Sequence, residues 1–572
     1  MSQMFLKSCL LVLAGPIAIV LACGNGQSPL SQLNTTLDGR VNCAEPLAAP
    51  CFSDPNGTQC LAIRKRLPSG FYHTNKYQGF QYMQGEACLA NPSDQCLLEM
   101  GTLDVPGNTS CSQGLVSPLY VEITGATDVQ KIFDHARTSG TTLSIKNSGH
   151  DYVMRSSRRG SLAIWTRGIR GKTFHATFVP KNCVGIPETT AITFGAGVNT
   201  DEAVTFAHEN GFVFDGGSGS TIGVAGGWVL NGGHSVLSNN IGLGVDRVLQ
   251  FTVVTADGQV RIANQCQNPE LFWALRGGGS GSFGVVLNST FRVEREGPIT
   301  AAVIDFKAGP DEQRQFVEIL AANMRDWALQ GWGGPVAANQ AILVNPRSEV
   351  NVSAAEKTLA PLITHAEAQK GKVTVMSFPS YFDFYQDVVN GTHAIPVPVS
   401  VSVITTSRVI PETVFTNDSM RATMVDTIMD LHNSGIMVSM LSTMPLLYSR
   451  TQAQQNRTAM HPAWYRSVWS IVGYTMLTAK TPLKDRVSMV SVLQQGTDSL
   501  MKLAPDGCTY PSEGYAWMKN WFQELWGENY PALLTLKRRY DPDQLLSCWH
   551  CVGWDESQPD YECISGLAPS IS

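Results

Sequence analysis

Apolar residues change their spacing between residues 118 and 145. Leu119 to Ile123 is a short apolar run, and Thr141 to Ile145 is a second one. Thr127-Asp128 between them is typical of a helix N-cap, and Gly140 of a helix end. The apolar residues in that interval recur every three or four positions, as on one face of a helix: Val129, Ile132, Phe133 and Ala136. The pattern predicts a strand, a capped helix and a second strand.

Two further units of mixed structure follow. The first is predicted as a strand, a helix and a return strand, which lie at Ile192, at Asp201 to Glu209 and at Phe212 to Phe214. The second is predicted as a hairpin around Ala256-Asp257-Gly258, then a helix that Pro269 begins, then a strand. These elements lie at Val248 to Thr255, Gln259 to Ile262, Asn268 to Arg276 and Phe283 to Val293. Residues 116–297 therefore look like one α+β domain.

Residues 298–510 are predicted to form a second domain of alternating strands and helices. The strand candidates are Ile342 to Val344, Val399 to Ile404 and Ile436 to Leu441. Met, Tyr and Trp are frequent in this region, which fits either an ordinary core or a cover over a ligand. A chain of 572 residues is long enough for two substantial cores.

The first 22 residues have the pattern of a secretory signal peptide. Lys7 precedes an apolar stretch from Leu10 to Leu21 that is too short for a membrane span. A bacterial lipoprotein with a lipid on Cys23 is the alternative. Eight N-glycosylation triplets favour a eukaryotic secretory route instead, with glycans on several of them: Asn34, Asn56, Asn108, Asn288, Asn351, Asn390, Asn417 and Asn456. We expect a secreted glycoprotein.

The charge balance argues against a nucleic-acid partner. The formal net charge is −6 at pH 7, and no run of Lys and Arg is long enough to follow a phosphate backbone. No later apolar run is long enough for a membrane helix. We therefore expect no membrane association once the signal peptide is removed.

Cysteine usage fits an oxidising compartment. Many of the 14 cysteines crowd the segment 23–115, which predicts disulfides in a loop-rich region. Cys548 and Cys551, with His550 between them, could instead hold zinc. No second pair has matching ligand spacing, so disulfides are the preferred interpretation and no metal site is expected. The sequence leaves the pairing open.

Glycine clusters in the loops of residues 116–297 predict a ligand groove lined by main chain, because glycine lets the backbone approach a ligand closely. A dinucleotide pyrophosphate needs N–H groups without intervening side chains. The clusters lie at Gly216-Gly217, Gly223, Gly226-Gly227, Gly232-Gly233 and Gly277 to Gly279. The stretch from Gly277 to Gly284 follows a helix and precedes a strand, whereas a nicotinamide-binding fingerprint needs the opposite order. Nicotinamide binding is rejected on that ground.

Several motifs resemble those of the vanillyl-alcohol-oxidase superfamily, and most of all its berberine-bridge-enzyme-like branch. They are Ser144 to Tyr152, Phe194 to Val198, Gly216 to Gly227, Asn231 to Ser235, Gly242 to Leu249, Leu271 to Gly279, and Asn529-Tyr530-Pro531 with Lys537, Tyr540-Asp541-Pro542 and Leu545. The resemblance implies a two-part FAD-binding domain (PCMH type) and a second α+β substrate domain built on an antiparallel sheet. The segment 511–572 would return to the FAD-binding domain.

The resemblance also implies FAD attached covalently through His150 to the methyl group of the benzenoid ring. A neutral imidazole is a competent nucleophile for this bond. The other implied cofactor-binding residues are Lys146, Asn147, Ser148, Gly149, Asp151, Gly217, Thr221, Gly223, Gly226, Gly227, Gly232, Gly233 and Asn529. Gly219 stands where many relatives carry a second, cysteinyl link, so a single bond is predicted. Arg167 stands where many fungal relatives have histidine, which puts substrate chemistry inferred from them in doubt.

A flavin accepts hydride while the protein removes a proton, so a base is needed. The candidates are Tyr515, Tyr530 and Tyr474, with Asp383 a weaker one. The predicted function is a secreted FAD-linked oxidoreductase that oxidises a small organic substrate in secondary-metabolite biosynthesis, as an oxidase with O2 as acceptor or, alternatively, as a dehydrogenase. A carbohydrate or alcohol oxidase is the alternative, and a non-catalytic glycosylated binding protein is a third.

Overall fold

The computed structural model describes residues 30–107, 110–391, 399–451, 458–555, 557 and 561–568. The predicted signal peptide and the glycosylation triplets at Asn108 and Asn456 lie outside the described residues. No helix in the described part of the chain is long and apolar enough to cross a membrane.

The strands of the described residues fall into four sheets. In chain order they are β1 (Asn42–Cys43), β2 (Leu119–Glu122), β3 (Leu143–Lys146), β4 (Leu162–Trp165), β5 (Lys172–Phe178), β6 (Thr189–Gly195), β7 (Phe212–Val213), β8 (Val248–Val254), β9 (Val260–Ala263), β10 (Val285–Arg292), β11 (Glu294–Arg295), β12 (Ile299–Asp305), β13 (Gly334–Val336), β14 (Gln340–Asn345), β15 (Lys372–Phe378), β16 (Ser402–Pro411), β17 (Met437–Ser442) and β18 (Ser467–Leu477).

The α-helices lie between these strands, before the first and after the last. Their bounds are Ser31–Thr36, Ala49–Ser53, Thr58–Arg66, Gly70–Thr74, Ala126–Ser139, Thr200–Glu209, Ser238–Ile241, Gly244–Arg247, Pro269–Leu275, Pro310–Leu329, Val352–Ala368, Tyr381–Phe384, Glu412–Thr416, Asp418–Asn433, Leu446–Thr451, Leu483–Leu503, Trp521–Trp526, Tyr530–Tyr540 and Glu562–Ser565. The longest helices flank the sheet that β12 begins, and Leu483–Leu503 packs against β16 and β18.

The predicted strand, helix and strand at 118–145 form the first sheet, whose order is β1-β2-β4-β3. β2, β4 and β3 are parallel, so their carboxyl ends meet at one edge. Gly140 ends the helix in the left-handed conformation, with φ +70°. The predicted cap was wrong: Gly125 is the N-cap, and the Asp128 carboxylate accepts hydrogen bonds from Thr124 and Arg40.

The second sheet is antiparallel, with the order β5-β6-β10-β8-β9. It contains the predicted hairpin, in which Val254 pairs with Val260. The helix Thr200–Glu209 follows β6, and its cap is Asn199 in a reciprocal capping box with Glu202. The predicted helix began at Asp201, one residue after the observed start at Thr200. The loops that follow β6 and β7 carry the glycine clusters toward the end of β3.

The predicted second domain, residues 298–510, is built on one seven-stranded antiparallel sheet with the order β15-β12-β14-β13-β17-β18-β16. The expected antiparallel α+β architecture is confirmed. The C-terminal helix Tyr530–Tyr540 packs back onto the domain of residues 116–297, because the Lys537 ammonium donates to the Ser282 carbonyl of that domain. The same ammonium also donates to the Leu546 carbonyl and to the Asp541 carboxylate. Chain segments far apart in sequence thus meet beside the glycine loops.

Disulfides bind the N-terminal segment, as predicted. Cys51–Cys60 and Cys96–Cys111 are local, and Cys88–Cys563 joins the N-terminal segment to the C-terminal one. Cys183–Cys266 and Cys548–Cys551 also form, so the C-x-x-C pair is occupied by its own bond. Cys508 is the free, buried thiol of the described residues.

Glycosylation triplets in the described residues differ in accessibility. Asn56, Asn351, Asn390 and Asn417 are exposed, and Asn34 is half-buried. Asn288 is half-buried in the middle of β10, which pairs with β6 on one side and β8 on the other. A glycan is therefore hardest to accommodate at Asn288.

Candidate functional site

The loop after β3 is in direct contact with the loop Gly216 to Gly227, which follows β7 and is called the second glycine loop below. Gly149 adopts φ +85°, which glycine tolerates and other residues rarely do. The Ser148 hydroxyl accepts a hydrogen bond from the Gly223 amide at 3.1 Å, and Asn147 Nδ2 donates to the Ala196 carbonyl at 2.6 Å. These bonds fix residues 147–149 against the two loops that follow β6 and β7.

His150 projects from this loop onto the second one. Its Nε2 lies 2.6 Å from the Thr221 hydroxyl, and the ring packs edge-on to Tyr82 with centroids 6.0 Å apart. Burial lowers the pKa of His150 to about 3. The imidazole is therefore neutral at ordinary pH and keeps a lone pair available as a nucleophile.

The second loop has no room for side chains where it faces Asn147. A Cβ atom on Gly223 would overlap the Asn147 side-chain amide, and one on Gly226 would lie 2.8 Å from Asn147 Nδ2. Asn147 Oδ1 is buried and has no hydrogen-bond partner within the described residues. Bare main chain thus forms one wall of a polar cradle, as predicted from the glycine clusters.

A cavity of about 60 Å³ opens beside this wall. Asn147, Gly226 and Gly227 line it on one side, and Ser280-Gly281 and Ser547 on the other. The guanidinium-bearing residues Arg155 and Arg158 also line it. Main-chain amides suit an anionic group such as a pyrophosphate, and Arg158 adds positive charge, whereas the Arg155 guanidinium is already paired with Asp151. The residues present therefore fit the pyrophosphate of FAD.

The loop 231–235 forms another wall and joins the C-terminal segment. Gly232 and Gly233 have φ +122° and +76° and pack on Met460 and Trp228. Asn231 Nδ2 donates to the hydroxyls of Ser280 and Ser512. This positions His234, whose Nδ1 lies 3.0 Å from Thr443 Oγ1 and whose Nε2 lies 3.3 Å from Glu513 Oε1. Glu513 Oε2 is buried and has no partner within the described part of the chain.

A tyrosine cluster lies next to His150. The hydroxyls of Tyr82 and Tyr152 are 2.5 Å apart and their rings stack at 4.2 Å. Tyr474 packs with them from β18. Burial raises the pKa of all three phenols, and the nearby Glu513 carboxylate raises the pKa of Tyr82 and Tyr152 further. The cluster keeps its protons at neutral pH and can donate or relay them.

Comparison with known proteins identifies the family. The family model for the FAD binding domain matches residues 117–264, and that for berberine and berberine-like proteins matches residues 508–549. The FAD-linked oxidoreductase cheF of Chaetomium globosum is 40% identical over 549 residues, which cover 94% of this chain and 88% of cheF. The chain belongs to this berberine-bridge-enzyme-like family. It is an FAD-dependent oxidoreductase.

Solved structures agree on the fold. The VAO-type flavoprotein MtVAO713 of Myceliophthora thermophila matches with a TM-score of 0.81 at 24% identity, over 93% of this chain and 96% of its own. Glucooligosaccharide oxidase from Acremonium strictum matches with a TM-score of 0.60 at 18% identity, over 76% and 92%. The oxidoreductase therefore has the VAO-type fold that the motifs implied.

The oxidoreductase does not bring all the sequence candidates into the site. The Tyr515 hydroxyl donates to the Val490 carbonyl in the core, and the Tyr530 hydroxyl accepts from the Gly553 amide. Asn529 Nδ2 donates to the Met460 carbonyl, and Asp383 accepts from Ser380 at a helix start. Of the predicted bases, Tyr474 alone lies in the tyrosine cluster.

Two of the predicted cofactor-binding side chains are occupied elsewhere. The Lys146 ammonium is buried and donates to the carbonyls of Lys76, Tyr77 and Gly79, so it fastens the N-terminal segment below β3. Asp151 makes a bidentate ion pair with Arg155 and accepts from its amide. Both side chains shape the loop, because their charges are satisfied by protein groups.

Arg167, the departure from many fungal relatives, has a structural function in the enzyme. Its guanidinium donates to both oxygens of Glu202, to Asn75 Oδ1 and to the Gly197 carbonyl. Burial raises the pKa of Glu202, but the hydrogen bonds and charge of Arg167, the Asn199 amide and Arg170 together outweigh it and lower the pKa to about 2. Arg167 thereby joins β4 to the helix Thr200–Glu209, and its side chain is unavailable to a substrate.

The site includes residues that sequence reasoning missed. Tyr82 and Gln81 come from the Cys-rich segment, His234 comes from the loop 231–235, and Glu513 comes from the C-terminal segment. No motif marks Tyr82 or Gln81, whereas His234 stands inside the quoted stretch Asn231 to Ser235. Tyr152 likewise ends a quoted motif, so its position could have suggested a role.

The glycine wall predicts that Gly223→Ala disrupts the enzyme. The new Cβ would overlap the Asn147 amide, and relieving such overpacking costs about 1–3 kcal/mol. We expect a lower melting temperature and loss of bound flavin absorbance near 450 nm. Gly171→Ala is the matched control, because its Cβ meets no atom within 4 Å. Asn147→Ala combined with Gly223→Ala should recover part of the stability. Wild-type behaviour of Gly223→Ala would contradict the close packing.

Proposed function

We propose that this oxidoreductase is a secreted oxidase that holds FAD on one covalent bond to His150 and oxidises a small organic substrate with O2 as acceptor. The observation that carries the proposal is the position of the His150 imidazole, which projects from the loop after β3 onto the loop that contains Thr221. Burial lowers its pKa to about 3, and a neutral imidazole can attack an electrophilic carbon without first losing a proton to solvent.

A single link is supported by Gly219. A Cβ atom at this position would lie 3.3 Å from His150 Cε1, so a side chain there would face the same edge of the cofactor. Glucooligosaccharide oxidase from Acremonium strictum carries a 6-S-cysteinyl, 8α-N1-histidyl FAD. Our chain has glycine where a cysteinyl link would be needed, so one bond remains. The same difference disfavours the carbohydrate-oxidase alternative.

The residues around His150 suit the removal of hydride and proton from a hydroxyl-bearing carbon. FAD, when bound, supplies the hydride acceptor. The chain supplies polar groups that can take or relay the hydroxyl proton. They are Glu513, whose buried Oε2 has no hydrogen-bond partner within the described residues, and the Tyr82–Tyr152 pair. Burial also excludes bulk water from these groups. A small alcohol is therefore the proposed substrate class, which fits a step in secondary-metabolite biosynthesis.

The non-catalytic alternative is set aside, because the chain belongs to a family of FAD-linked oxidoreductases. A non-catalytic binding protein would be expected to have lost the cofactor site. The loops here keep His150 and a wall of main chain without side chains. What the family leaves open is the linkage, the electron acceptor and the substrate.

Acid precipitation tests the linkage. We expect the wild-type pellet to stay yellow and His150→Ala to release all its flavin into the supernatant. Since the pKa of His150 is lowered from about 6.5 to about 3, the neutral form persists down to about pH 3. Attachment should therefore proceed as fast at pH 5 as at pH 8. A colourless wild-type pellet, or an unmodified His150 peptide in mass spectrometry, would refute the covalent bond.

Tyrosine variants test which phenols act. We expect Tyr82→Phe and Tyr152→Phe to slow anaerobic flavin bleaching by about 100-fold with a panel of small alcohols, as is typical of lost proton transfer. Tyr515→Phe is the matched control, because its hydroxyl bonds only a core carbonyl. It should change the rate by less than about twofold. If Tyr515→Phe is the slow variant, the tyrosine cluster is not the proton path.

Secretion is tested by expression in a filamentous fungus. We expect the chain in the culture medium, beginning near residue 23, with N-glycans that an endoglycosidase removes. Peptide mapping should find glycans at exposed sites such as Asn351 and Asn417 rather than at Asn288. Retention of an unprocessed, unglycosylated chain inside the cell would overturn this part of the proposal.

A further inference from the structure

Three chain segments meet at one hydrogen-bonded chain beside His150. The His150 Nε2 lies 2.6 Å from Thr221 Oγ1, and Thr221 Oγ1 donates to Gln81 Oε1 at 3.3 Å. The main-chain N–H of Gln81 also donates to the Gly149 carbonyl at 3.1 Å. Thr221 and Gln81 are both buried. The Cys-rich segment, the loop after β3 and the second glycine loop are thus connected through two side chains.

The direction of these bonds fixes the tautomer of His150. A carbonyl oxygen only accepts, so the single hydroxyl proton of Thr221 points to Gln81. The hydroxyl oxygen must then accept from His150, which puts the ring proton on Nε2. In a neutral ring the lone pair therefore lies on Nδ1. Nδ1 has no hydrogen-bond partner within the described residues.

We propose that Thr221, held by Gln81, is the positioning residue for flavin attachment: it keeps the proton on Nε2 of His150 and leaves Nδ1 as the nucleophile. This inference rests on the proposed attachment at His150. Tyr82 at the ring edge and the Gly219 main chain near Cε1 restrict the orientation of the imidazole as well. Neither of these neighbours determines which nitrogen carries the proton.

The attachment step balances with the oxidant already assigned to the enzyme. A bond forms between Nδ1 and the methyl carbon of the benzenoid ring, and one methyl C–H bond breaks. The methyl proton leaves to solvent, and the electron pair stays in the isoalloxazine, which is reduced by two electrons. O2 then accepts those electrons. The Nε2 proton is also released, so the product is a neutral N-alkylated imidazole.

The threonine–glutamine pair can serve the ring before and after attachment. Once Nδ1 is alkylated, Nε2 carries a lone pair and needs a donor. The Thr221 hydroxyl can turn to donate to Nε2, and a flipped Gln81 amide can donate to Thr221 Oγ1. A carboxylate at either position could only accept. Two reversible groups therefore suit a histidine that changes from donor to acceptor.

The test follows covalent flavin over time and needs no substrate. Enzyme produced under riboflavin limitation is incubated with FAD, and acid-stable flavin is measured in the pellet. We expect Thr221→Val to attach flavin about tenfold more slowly, the usual effect of losing one hydrogen bond, and Thr221→Ser to match wild type. Gln81→Leu should slow attachment as well. Ser220→Ala is the control, because Ser220 bonds Asn390 instead of His150.

The outcomes separate this inference from the proposed function. Absence of covalent flavin in wild type refutes attachment and the inference together. Attachment in wild type with an equal rate in Thr221→Val refutes the inference alone. If Thr221→Val does not fold, an unchanged rate of flavin attachment in Gln81→Leu would refute the inference instead. Proteolysis of the wild type should yield an Nδ1-linked histidyl flavin, and an Nε2 linkage would overturn the proposed tautomer.

Discussion

The second glycine loop packs so closely on the loop after β3 that Gly223 has no space for a side chain. The rest of the site depends on this contact. It brings Thr221 within hydrogen-bond distance of His150, leaves Asn147 Oδ1 facing the cradle, and makes main chain the wall of the cavity. Close packing of this kind transmits small volume changes, so the cofactor site tolerates little variation in either loop.

The Cys-rich N-terminal segment is part of the candidate site as well as a disulfide-bonded extension. It contributes Tyr82 to the tyrosine cluster and Gln81 to the hydrogen bonds beside His150. The segment is held in place by the Lys146 ammonium below it and by the Cys88–Cys563 disulfide at its far end. The Cys88–Cys563 disulfide joins the N-terminal segment to the C-terminal one and limits the movement of both.

Charged side chains near the cofactor site mainly bind protein groups. Lys146 donates to carbonyls, Asp151 pairs with Arg155, and Arg167 pairs with Glu202. Because buried charges need partners, the fold uses them to shape loops. Among the described residues around the site, Asn147 Oδ1 and Glu513 Oε2 are the buried side-chain oxygens of these loops that have no hydrogen-bond partner.

The sequence by itself determined the local elements and the glycine-rich loops, and it singled out His150 as the candidate for flavin attachment. Periodicity defines the helix Ala126–Ser139, and turn chemistry defines the hairpin between β8 and β9, because both depend on neighbours in the chain. Motifs around His150 sufficed to indicate FAD for the same reason: the loop that holds it is contiguous.

Only the tertiary structure decided which side chains surround that histidine. Tyr515 and Tyr530 looked equivalent to Tyr474 in sequence, yet only Tyr474 faces the cluster, since orientation on a sheet depends on pairing across the domain. Gln81 and Thr221 are 140 residues apart, and no local pattern predicts their contact. Burial, long-range pairing and hydrogen-bond direction are properties of the assembled fold, so they could not be read along the chain.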